Sequence, residues 1–470
     1  MINKIIYYNM SKATFTFATE EFLKPQVINC ILSNILKITV YNLLDIIVNS
    51  QNVTYKYDTL DINVLYVDKY LPKGQPMIDL CIYEGILTID ELNQNTPKTI
   101  IEITKNDTGD SGNQVYQRIE KFLYAKQHWY QHWDTINKYM FYTIEIENTR
   151  DHKASIISNK ILKTLGINIS KLIIPKQHYT NISESITPFI SIEELIMTIN
   201  STKATKGKYI NNRIIENDSK ICITSNLIHS KKLKEKSPIN DPNTGFVAGL
   251  ISVIQHIDPT KHIVLTQECG LYNTQINSNA KLWSCIRTFK DNITIINNQG
   301  IQITKKWDTI ADINRHYFKP PQGEKLSSLY LHLYMEKHCN CKLVFHNHAG
   351  CERSFIQLND NYYMPTAKNI PDLCMIDYEK KILYIIEAKQ NETKKIKNGI
   401  SQLQKSEEWA KNNIIKKLDG DFTIEKYLCV YGDSEHPTQH SHFNSDIKLL
   451  FSLKSDNSIY FNQDFINRYN

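Results

Sequence analysis

The apolar positions along this chain change period several times, and the changes outline its elements. Residues 18–38, "ATEEFLKPQVINCILSNILKI", repeat at helical spacing. "DINVLYVDKY" (61–70) and "MIDLCIYE" (77–84) read as strands, as does "KTIIEITK" (98–105). Helical spacing returns over 113–133, "NQVYQRIEKFLYAKQHWYQHW", and strand character in "KYMFYTIEIE". A helix, strands, a helix and a strand within about 150 residues predict an α/β unit. The order recurs near the other end. A helix over 323–338 precedes a strand at "CKLVFHN", and "PDLCMID" and "KILYIIEAK" follow as consecutive strands joined at "DYEKK" (377–381). A helix over 399–415 and a strand at "KYLCVYGD" complete it. Between them, "FVAGLISVIQHI" predicts a helix and "KHIVLTQ" a strand, while 200–240 is polar and basic, with "SKKLKEKSP" (230–238) resembling a solvated linker. The pattern therefore predicts an α/β fold in three parts, 1–150, 151–310 and 311–470, the middle one an α/β and linker region and a candidate recognition segment.

Composition adds modest bounds. With 470 residues and 41% hydrophobic content, the chain supports ordinary cores. A net charge of +6 is compatible with a polyanionic partner. Ten cysteines without framework spacing, and a start that does not read as a signal peptide, suggest free thiols in a reducing cytoplasmic interior. No apolar run approaches the length needed to cross a bilayer, so no membrane partner is expected.

The sharpest chemical signal is "IIEAKQ" (385–390). Glu387 and Lys389 share one side of a strand whose neighbours call for burial, and charge placed there is costly unless something uses it. Pairing with the preceding strand brings Asp372 beside them. Two carboxylates on adjacent strands make a hard oxygen seat for Mg²⁺, and a lysine beside it can orient water or offset charge developing on a phosphate. In the first third, Asp79, Glu102 and Lys105 stand in the same order.

"PD…EAK" resembles the PD-(D/E)xK nuclease signature, over roughly residues 323–435. A preceding helix with Glu324 and a following helix with Gln402 and Gln404 suit that family. The resemblance implies a mixed-sheet, restriction-endonuclease-like core with Asp372, Glu387 and Lys389 catalytic and the two acids holding Mg²⁺. The first third resembles a second core, with Asp79, Glu102 and Lys105 catalytic, the acids as metal ligands, and Gln117 on the following helix. That copy departs from the pattern: the signature places an acid at 103, which is Ile103, and strand alternation turns Glu102 and Lys105 to opposite faces unless a β-bulge intervenes. Without one, the core is degenerate.

"EITKNDTGDSGNQVYQRIEKF", "DPNTGFVAGLISVI" and "NHAGCERSFI" also resemble segments of type II restriction enzymes. This implies Mg²⁺-dependent, site-specific cleavage of double-stranded DNA by the chain or its homodimer, and functional pairing with a DNA methyltransferase. The alternatives are a repair or recombination nuclease that reads DNA structure, and a non-catalytic DNA-binding protein built from nuclease cores. Arg118, Lys121 and Arg353 are candidates for holding phosphates. The run "HCNCKLVFHNHAGC" (338–351) lacks a usual zinc spacing, and is read as core residues and histidines at the rim of a site.

Overall fold

The computed structural model describes residues 12–20, 22–39, 43–48, 52–67, 70–71, 75–76, 78–104, 115–146, 153–201, 211–217, 219–226, 243–267, 292–297, 318, 323–347, 355–366, 368–433, 443, 446–454, 456 and 458–469. Along the chain these form β1 (Ala13–Thr19), α1 (Pro25–Cys30, continued by a π-turn over Ile31–Ile35), β2 (Leu43–Val48), β3 (Val53–Tyr57), β4 (Leu60–Tyr66) and the short strands β5 (Tyr70–Leu71) and β6 (Gln75–Pro76). Next come β7 (Leu80–Glu84), α2 (Ile89–Leu92), β8 (Thr99–Thr104), α3 (Val115–His128), β9 (Asn137–Ile144), α4 (Lys153–Thr164), β10 (Asn168–Ile173) and β11 (His178–Asn181). The middle holds α5 (Ile192–Ser201), β12 (Asn211–Asn217), β13 (Lys220–Asn226), α6 (Asn243–Ile257), β14 (His262–Gln267) and β15 (Ile293–Asn297). The last part contains α7 (Gly323–His338), β16 (Lys342–His346), β17 (Ile356–Leu358), β18 (Asn361–Tyr363), β19 (Leu373–Asp377), β20 (Ile382–Gln390), α8 (Thr393–Asn413), β21 (Thr423–Tyr431), β22 (Ile447–Leu453), β23 (Ile459–Phe461) and α9 (Gln463–Tyr469). The protein is mixed α/β. Among the described residues, no helix is long and apolar enough to cross a membrane.

Two compact units emerge, and neither is continuous in sequence. One comprises 1–68, 84–89 and 319–470; the other comprises 69–83 and 90–318. In the first, a six-stranded sheet runs β16-β19-β20-β21-β22-β23. The β19–β20 and β22–β23 pairs are antiparallel, while β20–β21 and β21–β22 are parallel. All of β19 and the first seven residues of β20 are buried, as expected of central strands covered on both faces. The crossover between the parallel strands is α8, whose buried residues Ile396, Gly399, Leu403, Ser406, Ala410 and Asn413 repeat at three- and four-residue intervals. With Trp409 of the same helix, they pack into a core that includes Ile385, Leu428 and Val430. The helix α7 is buried over most of its circumference. It starts at Gly323, where an added Cβ would stand 1.9 Å from the Tyr431 ring, so only glycine lets the helix meet β21.

The second unit repeats this plan. Its strands β7 to β11 are adjacent in chain order. The β7–β8 pair is antiparallel, β8–β9 and β9–β10 are parallel, and β10–β11 is antiparallel. The crossover from β8 to β9 is α3, which packs against α4 and α6. A separate four-stranded sheet, β12-β13-β14-β15, belongs to the same unit.

Candidate active site

The β19–β20 hairpin aligns Leu373 with Ile386, which sets Asp372 across from Glu387. Each carboxylate is then held by the backbone of the opposite strand. The Asp372 N–H donates to Glu387 Oε2 at 3.3 Å, and the Ala388 N–H donates to Asp372 Oδ2 at 2.9 Å. Lys389 returns over the same face, as strand alternation requires. Its Nζ donates to Glu387 Oε1 at 2.8 Å, to the Ala388 carbonyl at 2.9 Å, and to Asp372 Oδ2 at 3.4 Å. Three hard oxygens thus converge on one cationic nitrogen. The lysine stem lies close against α8 at Gly399, where a Cβ would come within 2.8 Å of Lys389 Cγ and of Leu428 Cδ2. Glu324, in the first turn of α7, accepts a 2.7 Å hydrogen bond from the Gln390 N–H.

Burial and charge act together here. The Glu387 side chain is 2% exposed and that of Asp372 is 27% exposed. Burial, then the negative Asp372, pushes Glu387 up to about 8, with Lys389 opposing. Burial also raises Asp372, against the pull of Lys389 and the Ala388 N–H. Burial alone would lower Lys389, but the attraction of both carboxylates raises it. Burial thus opposes ionisation of both acids, and the Lys389 ammonium between them favours it.

The second hairpin, β7–β8, has the same register: Leu80 pairs with Ile101, which sets Asp79 across from Glu102. The same two backbone bonds form, from the Asp79 N–H to Glu102 Oε2 at 3.2 Å and from the Ile103 N–H to Asp79 Oδ2 at 2.9 Å. "DLC" and "IIE" occur in both hairpins, so Glu102 corresponds to Glu387 and Ile103 to Ala388. The acid is therefore where the register needs it, and no bulge has to be invoked to move it. At the position of Lys389 stands Thr104. The cations come instead from α3. Lys121 Nζ lies 2.9 Å from Asp79 Oδ1 and 2.6 Å from Glu102 Oε1. Arg118 Nη1 lies 2.7 Å from Glu102 Oε1 and 4.0 Å from Asp79 Oδ2.

Of the remaining candidates, Lys105, Arg353, His348 and Cys351 lie outside the described residues, as does the 230–238 linker; Gln117 belongs to α3, but its side chain is outside the description. Gln402 is exposed on α8, and Gly399 and Leu403 are the residues of that stretch that face the sheet. Arg118 binds a carboxylate of its own core, where the sequence made it a phosphate contact. Of the cysteine and histidine run, Cys339 and Cys341 are buried thiols pushed up to about 12 by that burial, and His346 contacts Ser328 Oγ at 3.1 Å. Among the described residues, no three or more His, Cys, Asp or Glu side chains are grouped closely enough to hold a metal ion. The oxygens gathered at Lys389 comprise two carboxylates and a backbone carbonyl. Sequence reasoning missed the roles of Arg118 and Lys121 in the second hairpin, although aligning the two "IIE" triplets exposes the missing lysine at 104 and prompts a search on the next helix. Comparison with family models, with curated proteins and with solved structures finds no match.

Proposed function

We propose that the chain is a Mg²⁺-dependent nuclease with a PD-(D/E)xK-type core, hydrolysing phosphodiester bonds of double-stranded DNA at the centre formed by Asp372, Glu387 and Lys389. The observation that carries this reading is the convergence of Asp372 Oδ2, Glu387 Oε1 and the Ala388 carbonyl on the Lys389 ammonium. An ammonium and a hard divalent cation seek the same oxygens, so the donor set that gathers Nζ also suits Mg²⁺. When bound, the ion would polarise a phosphate and make a bound water more acidic. Asp372 and Glu387 would hold it, with Glu387 giving up its proton, and Ala388 would add its carbonyl. Lys389, released from the carboxylates, would remain beside the reacting phosphate to orient water and offset developing charge. The exposed Lys394, Lys395 and Lys397 in the opening turns of α8, just beyond Gln390, supply positive charge suited to a polyanion.

The reading extends to site-specific cleavage of the restriction type, because the segments resembling such enzymes occur in several parts of the chain. Plasmid digestion with Mg²⁺ tests it. Discrete, reproducible fragments are expected, and Glu387→Ala should abolish them while retaining DNA binding. Smearing, or cutting confined to branched DNA, would favour the repair-type nuclease. Absence of cleavage with every divalent ion would favour a DNA-binding protein and overturn the proposal.

A further inference from the structure

We infer that the Asp79–Glu102 hairpin is a cation-locked counterpart of the C-terminal centre, in which Lys121 stands in for the strand lysine and the Arg118 guanidinium occupies the place a divalent cation would take. One chain would then carry one cleaving centre, and a double-strand break would need a second copy of the chain. That last consequence rests on the function proposed above; the lock itself does not.

The two hairpins share the register at their acids and both backbone-to-carboxylate hydrogen bonds, so the difference at the acids lies in the cations. Arg118 and Lys121 are three residues apart on α3 and therefore share a face. Together they meet both carboxylates at 2.6–2.9 Å, apart from the longer Arg118–Asp79 approach at 4.0 Å. With the acids ionised, as metal binding requires, Asp79, Glu102, Arg118 and Lys121 balance to zero, whereas Asp372, Glu387 and Lys389 leave one negative charge. Glu324 adds its field to Asp372 at that centre. A guanidinium keeps its proton throughout the range in which proteins fold, so Arg118 remains a fixed positive charge against Glu102. Access differs as well. The Asp79 and Glu102 side chains are 4% and 0% exposed, against 27% for Asp372. A metal ion entering the second hairpin would have to displace Arg118 from its ion pair with the fully buried Glu102 and give up its own waters to do so.

The test counts Mn²⁺ ions bound to the full-length chain, by following the paramagnetic resonance signal of free Mn²⁺ during titration. Wild type should bind one ion at the hairpins, lost in Glu387→Gln and retained in Asp79→Asn or Glu102→Gln. Arg118→Met should gain an ion, because removing the guanidinium restores a net negative charge; adding Glu102→Gln should cancel the gain. Arg118→Lys, which keeps a cation, should show no gain. Thermal unfolding of each variant establishes that a folded protein is being counted. An ion that wild type binds and loses on Asp79→Asn or Glu102→Gln would overturn the lock, and so would a folded Arg118→Met without the added ion. Should Arg118→Met fail to fold, the wild-type count and its response to Asp79→Asn decide alone. If wild type binds no Mn²⁺ at Asp372 and Glu387 but Arg118→Met gains an ion, the nuclease reading fails and the lock stands.

Discussion

The two hairpins use one backbone scheme to opposite ends. In both, the glutamate carboxylate accepts from the aspartate's N–H, and the aspartate carboxylate accepts from the N–H of the residue after the glutamate. At β19–β20 a single lysine from the same strand closes the group, leaving Asp372 partly open and Glu387 reluctant to ionise. At β7–β8 two cations from a helix close it completely. What the comparison teaches is that the same position on a strand does not fix how paired acids are neutralised: one lysine from the strand itself faces one pair, and two cations from a helix face the other.

The largest expected difference between the hairpins concerns catalysis. Lys389→Met should lower Mg²⁺-dependent cleavage by about 10²–10³-fold, the usual loss when one preorganised cationic or hydrogen-bonding group is removed from a developing charge. Lys121→Met, measured as cleavage per folded molecule, should leave the rate unchanged. If the two variants lose activity equally, the distinction between the hairpins disappears.

Stability should show the reverse ranking. Glu102→Gln removes a buried carboxylate that faces the buried Lys121 and the half-buried Arg118, and breaking such a group costs about 3–5 kcal/mol. Glu387→Gln replaces an acid already driven towards its neutral form, so its cost should stay below about 1.5 kcal/mol, typical of an isosteric exchange. Urea denaturation in EDTA, compared at equal m-value, measures both. The same experiment across pH carries a sign. Glu387 is raised in the folded state, so its contribution is fully present below the ordinary glutamate range and is lost as pH rises towards about 8. Glu387→Gln should therefore flatten the decline of stability between those limits. A decline as steep as that of wild type would mean the carboxyl is not raised.

Much of this architecture could be read from the sequence because burial writes period into it. Residues 323–338 form a helix with the limits expected, and "PDLCMID" and "KILYIIEAK" pair through the turn at 378–381, since apolar runs bounded by charged turn residues leave few other arrangements. The Asp372, Glu387 and Lys389 cluster followed from alternation along one strand and from its pairing with the strand before it. Other features depended on contacts distant in sequence. The helix of the last core begins at Thr393, six residues before the expected start, because its polar first turns carry no apolar signal until Ile396. The pairing of Arg118 and Lys121 with acids 16 to 42 residues away leaves no local pattern. A reading along the chain also has no means of assigning 69–83 and 84–89 to different compact units.

A smaller effect tests how Lys389 is placed. Gly399→Ala puts a Cβ 2.8 Å from both Lys389 Cγ and Leu428 Cδ2, and both are side-chain atoms that can yield. A cost of about 1–3 kcal/mol is expected for overpacking, together with a reduced cleavage rate as the ammonium shifts. Loss of stability with an unaltered rate would show that the close approach serves packing alone.

The smallest effect is expected at Gln402, the residue a family resemblance would draw towards the metal. Its side chain is exposed, while the sheet-facing positions beside it are Gly399 and Leu403. Gln402→Ala should change stability by no more than about 0.5 kcal/mol, as exposed substitutions generally do, and leave Mn²⁺ affinity as in wild type. DNA affinity is the informative measurement, because an exposed amide on the helix that follows β20 can meet a nucleic acid without contacting Asp372 or Glu387. Weaker DNA binding at constant metal affinity would place Gln402 on the substrate side of the centre. Weaker metal binding would show that α8 turns towards the carboxylates when the ion enters, and the difference between the hairpins would then include motion of a helix as well as the number of cations.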